Sequence, residues 1–562
     1  MTAAQEPLWV KHYQPGVPAE IELPTESLTS MVEDAVARFG PKVALEFFGA
    51  ETTYTQLGDQ INRAAEGLRR LGVRKGHRVA IILPNCPQYL IAFYAVLRLG
   101  GVVVGHNPLY TERELRHQFE NHGAQVAIVW DKAVEKVQDF PDDLAVPSII
   151  SVDITKAMPR LKRIGLRLPI PSIRRTRAGL TTKTENTIPW EKLLANDPID
   201  PQHPKPSVQD LAALQYTSGT TGIPKGVMLT HYNLRSNALQ GQAWMHGAKE
   251  GEEVIYGVLP MFHAFGLTLY LTFAMLTGSR LVLFPKFDVD LVLDAARKSR
   301  PTVFCAVPPI YEKVATESKK RGIDISTIRF AISGAMTLSA KTVEIWEEVS
   351  GGLLVEGYGL TESSPVALGN PFAETRRNGT IGVPFPSTLM RVADPEDLGR
   401  DVPQGEPGEL LISGPQVFSG YWNNPEETAE ILTEDGWLRT GDIVTVDEDG
   451  FVKVVDRRKE LIITGGFNVS PSEVEEVLRS NQSVADAAVV GLSRGAGGEQ
   501  VVAAVVMQPD TELDEQALRA FCRERLTPYK VPRRIVAIEE LPKSMLGKVL
   551  RKQVRESLQD SL

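Results

Sequence analysis

The sequence predicts an α/β protein: a large N-terminal domain of layered sheets and helices, followed by a small α+β domain. Three observations carry this. At 562 residues the chain is longer than one hydrophobic core supports. Apolar, β-rich runs recur with helical patterns between them, which implies α/β layers and largely parallel sheets. From about Gly408 the texture changes to short strands and turns. There the charged strip Val455-Asp-Arg-Arg-Lys-Glu460 separates two apolar strands.

The expected strands of the large domain lie at 79–83, 126–130, 254–259, 281–284, 303–307 and 330–333. Leu57, Ile61, Ala64, Leu68 and Leu71 mark one face of an intervening helix. The domain boundary falls at the charged strip, giving a large domain over 1–455, a hinge over 456–459 and a small domain over 460–562. In the small domain, Ser470-Pro-Ser-Glu473 reads as a capping box with proline at the first helical position. Val474, Val477 and Leu478 continue that helix, and 501–507 reads as a strand. Leu518, Phe521, Cys522 and Leu526 face one way on a final helix.

Composition narrows the functional classes. Apolar content of 43% and charged content of 23% are ordinary for a globular protein. A net charge of −9 argues against a nucleic-acid binder. Cys86, Cys305 and Cys522 lie far apart, fit no metal spacing and suggest a reducing compartment. The N-terminal residues lack the basic start and apolar core of a signal peptide. The most apolar segment, 266–276, is shorter than the roughly 20 residues that span a bilayer. The expectation is a cytoplasmic, non-integral protein.

One insert, at about 154–184, breaks the pattern. Lys156, Arg160, Lys162, Arg163, Arg167, Arg174, Arg175, Arg177 and Lys183 lie there with no acidic residue among them. Leu161, Ile164, Leu166, Leu168 and Ile170 interleave with them. A solvated loop, an acidic protein partner and a contact with anionic lipid at the inner membrane face all fit. Each cation contributes about 1 kcal/mol near such a membrane.

The chemistry centres on Tyr216-Thr-Ser-Gly-Thr-Thr-Gly-Ile-Pro-Lys-Gly226, which follows an apolar run, 211–214, read as a short buried strand. Its glycines let the backbone turn tightly and approach a ligand. Hydroxyls at Thr217, Ser218, Thr220 and Thr221, the backbone at Gly219 and the cation of Lys225 suit a polyphosphate. A Walker A loop needs Gly-Lys followed by Ser or Thr, and Pro224 and Gly226 flank the lysine here. A flexible Gly/Thr turn would share the composition without needing this order of residues.

The loop resembles the phosphate-binding signature of the adenylate-forming superfamily: acyl-CoA synthetases, luciferases and peptide-synthetase adenylation domains. Further segments resemble that superfamily in its own order, across nearly the whole chain. The resemblance implies an adenylate-forming large domain and a mobile small one. Pro260-Met-Phe-His-Ala-Phe-Gly266 resembles the motif at the carboxylate end of the acyl pocket, which implicates His263. Ser333-Gly334-Ala335 resembles the loop along the adenine ring. Glu356-Gly357-Tyr358-Gly359-Leu-Thr361-Glu362 resembles the core adenylation motif. There Tyr358 would pack on adenine and Thr361 would contact phosphate. Glu362, with the Thr217 hydroxyl, would hold Mg²⁺, which prefers oxygen ligands. Asp442 would grip ribose, supported by Arg457, and Lys459 would lie near the hinge. Gly465 and Gly466 would belong to a loop that builds the CoA tunnel. Pro542-Lys-Ser-Met-Leu-Gly-Lys548 resembles the terminal motif with the catalytic lysine. A cation there screens a carboxylate approaching an anionic phosphate.

Asn107-Pro-Leu-Tyr-Thr-Glu-Arg-Glu-Leu115, Gly414-Pro-Gln-Val-Phe-Ser-Gly-Tyr-Trp422 and the basic insert are most similar to bacterial long-chain fatty acid–CoA ligases. The implied substrates are a fatty acid, ATP and coenzyme A, with Mg²⁺ as cofactor, and a homodimer occurs among such relatives. The alternatives are a fatty acyl-AMP ligase loading a carrier protein, a ligase for medium-chain or aryl acids, and a non-catalytic lipid-binding protein on the same fold.

Overall fold

The computed structural model describes residues 7–217, 224–464, 467–493, 499–544 and 547–561. Two sheets dominate the large domain. In the seven-stranded sheet, six strands run parallel, from Ile188–Pro189 at one edge through Ser148–Val152, Val126–Trp130, Arg78–Ile82 and Val102–Gly105 to Leu211–Tyr216. Gly226–Thr230 closes it antiparallel. The nine-stranded sheet is parallel through its centre, from Val43–Phe47 to Leu354–Gly359, and antiparallel at both ends.

The helix Pro87–Arg98 is buried on every side. Its residues are almost all apolar or aromatic, which suits a helix with no solvent face. It belongs to one continuous core that reaches from Tyr13 to Val452. Five antiparallel strands between Leu389 and Arg457 complete the domain.

The small domain is a three-stranded sheet with helices on both faces. Along Val484–Ser493, Ala487 and Val489 pack toward the helices Pro471–Arg479 and Glu515–Arg523. Ala488, Val490 and Leu492 pack the other way, against Val554 and Leu558 of the helix Arg551–Ser561. This is the two-residue alternation of a strand covered on both faces.

Three local expectations are corrected. The strand Val452–Arg457 runs past the boundary expected at 455, because Asp456 and Arg457 pair with Ile443 and Asp442 in the large domain's sheet. A 3₁₀ turn, Arg458–Glu460, follows. Ser470 caps its helix by accepting from the Glu473 N–H, but the Glu473 carboxylate turns to Lys530 Nζ at 2.6 Å, so the box is half made. The helix of Leu518 and Cys522 ends at Arg523, and the final helix is Arg551–Ser561. That last helix was hidden because its inward face is little more than Val554 and Leu558.

All three thiols are buried and free, and burial pushes Cys86 and Cys305 up to about 12. No helix among the described residues is long and apolar enough to cross a membrane.

Candidate active site

The phosphate-type loop hangs between two antiparallel strands. Its base is closed where the Thr217 N–H donates to the Lys225 carbonyl at 3.1 Å. Ser218, Gly219, Thr220 and Thr221 lie outside the described residues. The Lys225 ammonium pairs with Glu427 and lies 5.2 Å from the centroid of the Tyr421 ring. The Tyr421 hydroxyl donates to Glu362 Oε1 at 2.6 Å. One tyrosine therefore joins the loop lysine to the carboxylate expected to hold a metal.

Tyr421 is itself fixed. Its N–H donates to Thr428 Oγ1 at 2.9 Å, and the next N–H, of Trp422, donates to the Gly226 carbonyl at 2.8 Å. Motif reading passed over this residue's role, because its contact with Glu362 spans 59 positions and leaves no local trace.

A second group sits at the end of the five-stranded sheet. Asp442 and Arg457 face each other across paired strands, with Arg457 Nε 3.1 Å from Asp442 Oδ1. The Tyr358 hydroxyl donates to Asp442 Oδ2 at 2.5 Å. Burial opposes the Arg457 charge, but Asp442, then Tyr358, Glu460 and Glu362, more than offset it, and its pKa is raised. Burial and the neighbouring carboxylate hold Tyr358 well above its ordinary value. Tyr358 thus serves as a hydroxyl donor to the expected ribose carboxylate. Each carboxylate oxygen keeps a lone pair for a further donor.

Asp456 points elsewhere. It accepts from Ser470 Oγ at 2.7 Å and the Ser472 N–H at 2.9 Å, so it pins the small domain's first helix to the large domain's last strand. Arg551 reinforces the joint through Glu475 at 2.8 and 2.9 Å and through Glu460. The Lys459 side chain, Gly465 and Gly466 lie outside the described residues.

The small domain brings Lys548 to this centre. The hairpin holding it is closed by the Ser544 N–H donating to the Lys548 carbonyl at 2.7 Å and the Gly547 N–H donating to the Ser544 carbonyl at 2.8 Å. Gly547 has φ +82°, and a Cβ there would stand 3.2 Å from Met336 Sδ of the large domain. Lys548 is exposed to solvent, with the charged groups of Arg457, Asp442, Glu460 and Arg551 around it. Desolvation by the surrounding protein and repulsion from Arg457 lower its pKa, while Glu460 and Asp442 oppose the shift.

His263 is brought to the same region from the other side. The Gln215 side chain, one strand end from the phosphate-type loop, donates to the Phe262 carbonyl. The Phe265 ring lies 2.9 Å from where a Cβ on Gly334 would stand. His263 Nδ1 accepts from the Phe265 N–H at 3.4 Å, and burial lowers its pKa to about 4. The imidazole is therefore neutral at neutral pH and caps the helix that follows. That helix winds as a π-helix over Leu267–Phe273, buried throughout.

Ala335 adopts a left-handed φ of +66° beside Gly334. Gly357 and Gly359 end the strand that carries Glu356, and Thr361 opens a short 3₁₀ turn. A Cβ on Gly359 would meet the Pro365 carbonyl oxygen at 1.8 Å, so only glycine fits. Burial pushes Glu356 up to about 8 against a stabilising Leu338 N–H.

Carboxylate and hydroxyl oxygens at Glu362 and Thr217 are the donor set Mg²⁺ prefers. No group of three His, Cys, Asp or Glu among the described residues could hold a metal by itself. A bound metal would need phosphate oxygens to complete its shell.

Asp442, Arg457 and Lys548 thus meet at one centre, and Glu362 acts on the same arginine. The family model described as AMP-binding enzyme matches residues 32–422, and that described as AMP-binding enzyme C-terminal domain matches 473–548. The chain belongs to the AMP-binding enzyme family. It is 39% identical over 561 residues, 98% of each chain, to a long-chain-fatty-acid–CoA ligase of Bacillus subtilis (strain 168). Among solved structures it is similar to ATP-bound MatB from Rhodopseudomonas palustris, with TM-score 0.81 and 29% identity over 96% of this chain and 100% of that one. Apo MatB from the same organism gives 0.70 at 28% identity, covering 96% of this chain and 100% of that one.

Proposed function

We propose that the protein is an AMP-forming long-chain fatty acid–CoA ligase. The observation that carries this is Lys548, set by the small domain beside the Asp442–Arg457–Tyr358 group. The better match to ATP-bound than to apo MatB supports reading this arrangement as the one for adenylation.

In the first half-reaction a fatty carboxylate oxygen attacks the α-phosphorus of ATP. The bond to the bridging oxygen breaks, and pyrophosphate leaves with the electron pair. The Lys548 ammonium screens the two anions and stabilises the charge that builds at phosphorus. Lys225 and the hydroxyls of its loop hold the outer phosphates, and Asp442 holds ribose. Glu362 and Thr217 would hold Mg²⁺, which supplies charge neutralisation on the phosphates. Neutral His263 stands at the carboxylate end of the acyl site without adding a like charge. In the second half-reaction the CoA thiol gives up its proton and attacks the acyl carbonyl, and AMP leaves. Rotation of the small domain about 458–461 between the halves would withdraw Lys548 and limit turnover.

The same reading places the enzyme in the cytoplasm, touching the inner face of the membrane in which its substrate dissolves. It keeps the homodimer as an expectation that sedimentation tests. Pyrophosphate and AMP release with palmitate and MgATP, with and without CoA, tests the activity. CoA-dependent palmitoyl-CoA is the expected product. Palmitoyl-AMP that accumulates and ignores CoA would establish a carrier-protein ligase instead.

A further inference from the structure

The insert after the strand Ser148–Val152 forms an outward platform. Its two short helices, Arg160–Gly165 and Pro171–Leu180, contain no buried residue. Leu161, Ile164, Leu168 and Ile170 are 84%, 62%, 47% and 46% exposed. They are four of the nine exposed large hydrophobics among the described residues, and they fall within ten positions. Scattered single apolar residues are ordinary on a surface, but a contiguous cluster marks a contact.

The same platform is cationic. The chain carries a net charge of −9, yet residues 154–184 alone carry nine basic and no acidic side chains. Among the described residues, the ion pair made by this insert is that of Lys156 with Glu191. The cations from Arg160 to Arg177 enter no ion pair described in the structure, so their charge is not cancelled locally.

The platform is moored to the body. Leu166 and Leu180 pack on the main core. Trp130 Nε1 donates to the Leu180 carbonyl at 2.9 Å, and the Thr182 N–H donates to Asp131 Oδ2 at 3.1 Å. The exposed side chains are thus presented from a fixed base, with aliphatic and cationic groups alternating over about twenty residues.

An acidic protein would satisfy the cations and leave the aliphatic side chains without a hydrocarbon partner. A bilayer surface satisfies both, since head-group phosphates lie above an acyl boundary. We propose, resting on the membrane contact inferred above, that residues 160–180 dock on anionic phospholipid. Leu161, Ile164, Leu168 and Ile170 enter the acyl boundary while the arginines meet phosphate. Docking would hold the enzyme where a long-chain acid partitions.

The test is flotation of the full-length protein with vesicles of phosphatidylcholine alone or with added phosphatidylglycerol. Binding is expected on the anionic vesicles and should weaken about tenfold or more as salt rises from about 0.05 to about 0.5 M. Two variants separate the components: Leu161→Ser with Ile164→Ser, and Arg174→Glu with Arg175→Glu. Each should lose about tenfold or more in vesicle binding, by the charge and apolar contributions of such segments. Turnover of a short, water-soluble fatty acid should stay at the parent level in both, since neither touches the nucleotide site. Equal flotation on neutral vesicles, salt-indifferent binding, no flotation, or variants that bind like the parent would each overturn docking at this face. Loss of acyl-CoA formation with intact flotation would instead sink the ligase reading alone.

Discussion

The two halves of the nucleotide site are held in opposite ways. Asp442 and Arg457 sit opposite each other on paired strands of the large domain, and Tyr358 ties into them from the next sheet. Lys548 sits on a small hairpin whose closure is local and whose placement depends on one joint. Asp456 makes that joint through side-chain contacts with Ser470, Ser472 and, at 4.0 Å, Arg551 rather than through a ladder. The proposed binding groups are therefore built into the scaffold, while the proposed catalytic cation is delivered to it.

The largest expected effect tests that division. Lys548→Ala should slow acyl-AMP formation by about 10²–10³ or more, by analogy with loss of a single transition-state donor. Thioester formation from supplied acyl-AMP should persist. Measuring the two halves separately decides it, and equal loss in both would make the lysine structural.

Arg551→Ala tests whether the joint belongs to the small domain. It leaves Glu475, 5% exposed, with only Arg479 at 3.8 Å as a charged partner. A loss of about 1.5–3 kcal/mol from the small domain's unfolding is expected, as for a hydrogen bond to a charged group. Calorimetry should show that transition move while the large domain's stays. If both shift together, the two cores melt as one body.

Tyr421→Phe sharpens the scaffold side. It deletes only the hydroxyl that Glu362 accepts, worth about 1.5–3 kcal/mol for a hydrogen bond to a charged group. ATP affinity measured by calorimetry with Mg²⁺ should fall about tenfold or more on that basis, and affinity without metal should change little. Equal weakening in both would mean that Tyr421 acts through Lys225 or packing instead.

A further comparison concerns pH. Burial lowers His106 and His263 to about 4. Unfolded imidazoles bind protons below about 6.5, so the unfolded chain holds more protons between these values. Stability should fall as pH drops through that window. Glu356, raised from 4.5 to about 8, acts oppositely. The folded state holds its proton across that range while the unfolded state has lost it, so its contribution declines as pH rises. Glu356→Gln should flatten the decline on the alkaline side in urea titrations at successive pH values. An unchanged slope would show that Glu356 is not the group responsible.

Much of this was legible before the fold was known, for physical reasons. The strand 126–130 matched its reading because a fully buried parallel strand is a continuous apolar run. The charged strip misled by two residues, because tertiary pairing kept Asp456 and Arg457 in a ladder their composition disfavours. The candidate site residues, the Asp442–Arg457 pair among them, could be named from their motifs, but most of their other partners could not. Tyr421 to Glu362 and Asp456 to Ser470 are hydrogen bonds between residues distant in the sequence, which leave no periodicity to detect. The π-helical winding behind His263 is equally silent in a run of buried apolar side chains.

The close approach of Gly547 to Met336 carries a consequence for selectivity in time. Because the ammonium lies on the same element that meets Met336, a small domain turned as proposed would leave bound ATP without its activating charge. Idle hydrolysis of ATP would then be held down by withdrawal of that charge. A bulkier tip at Gly547 would hold the ammonium back, and acyl-AMP formation and ATP consumption should fall together.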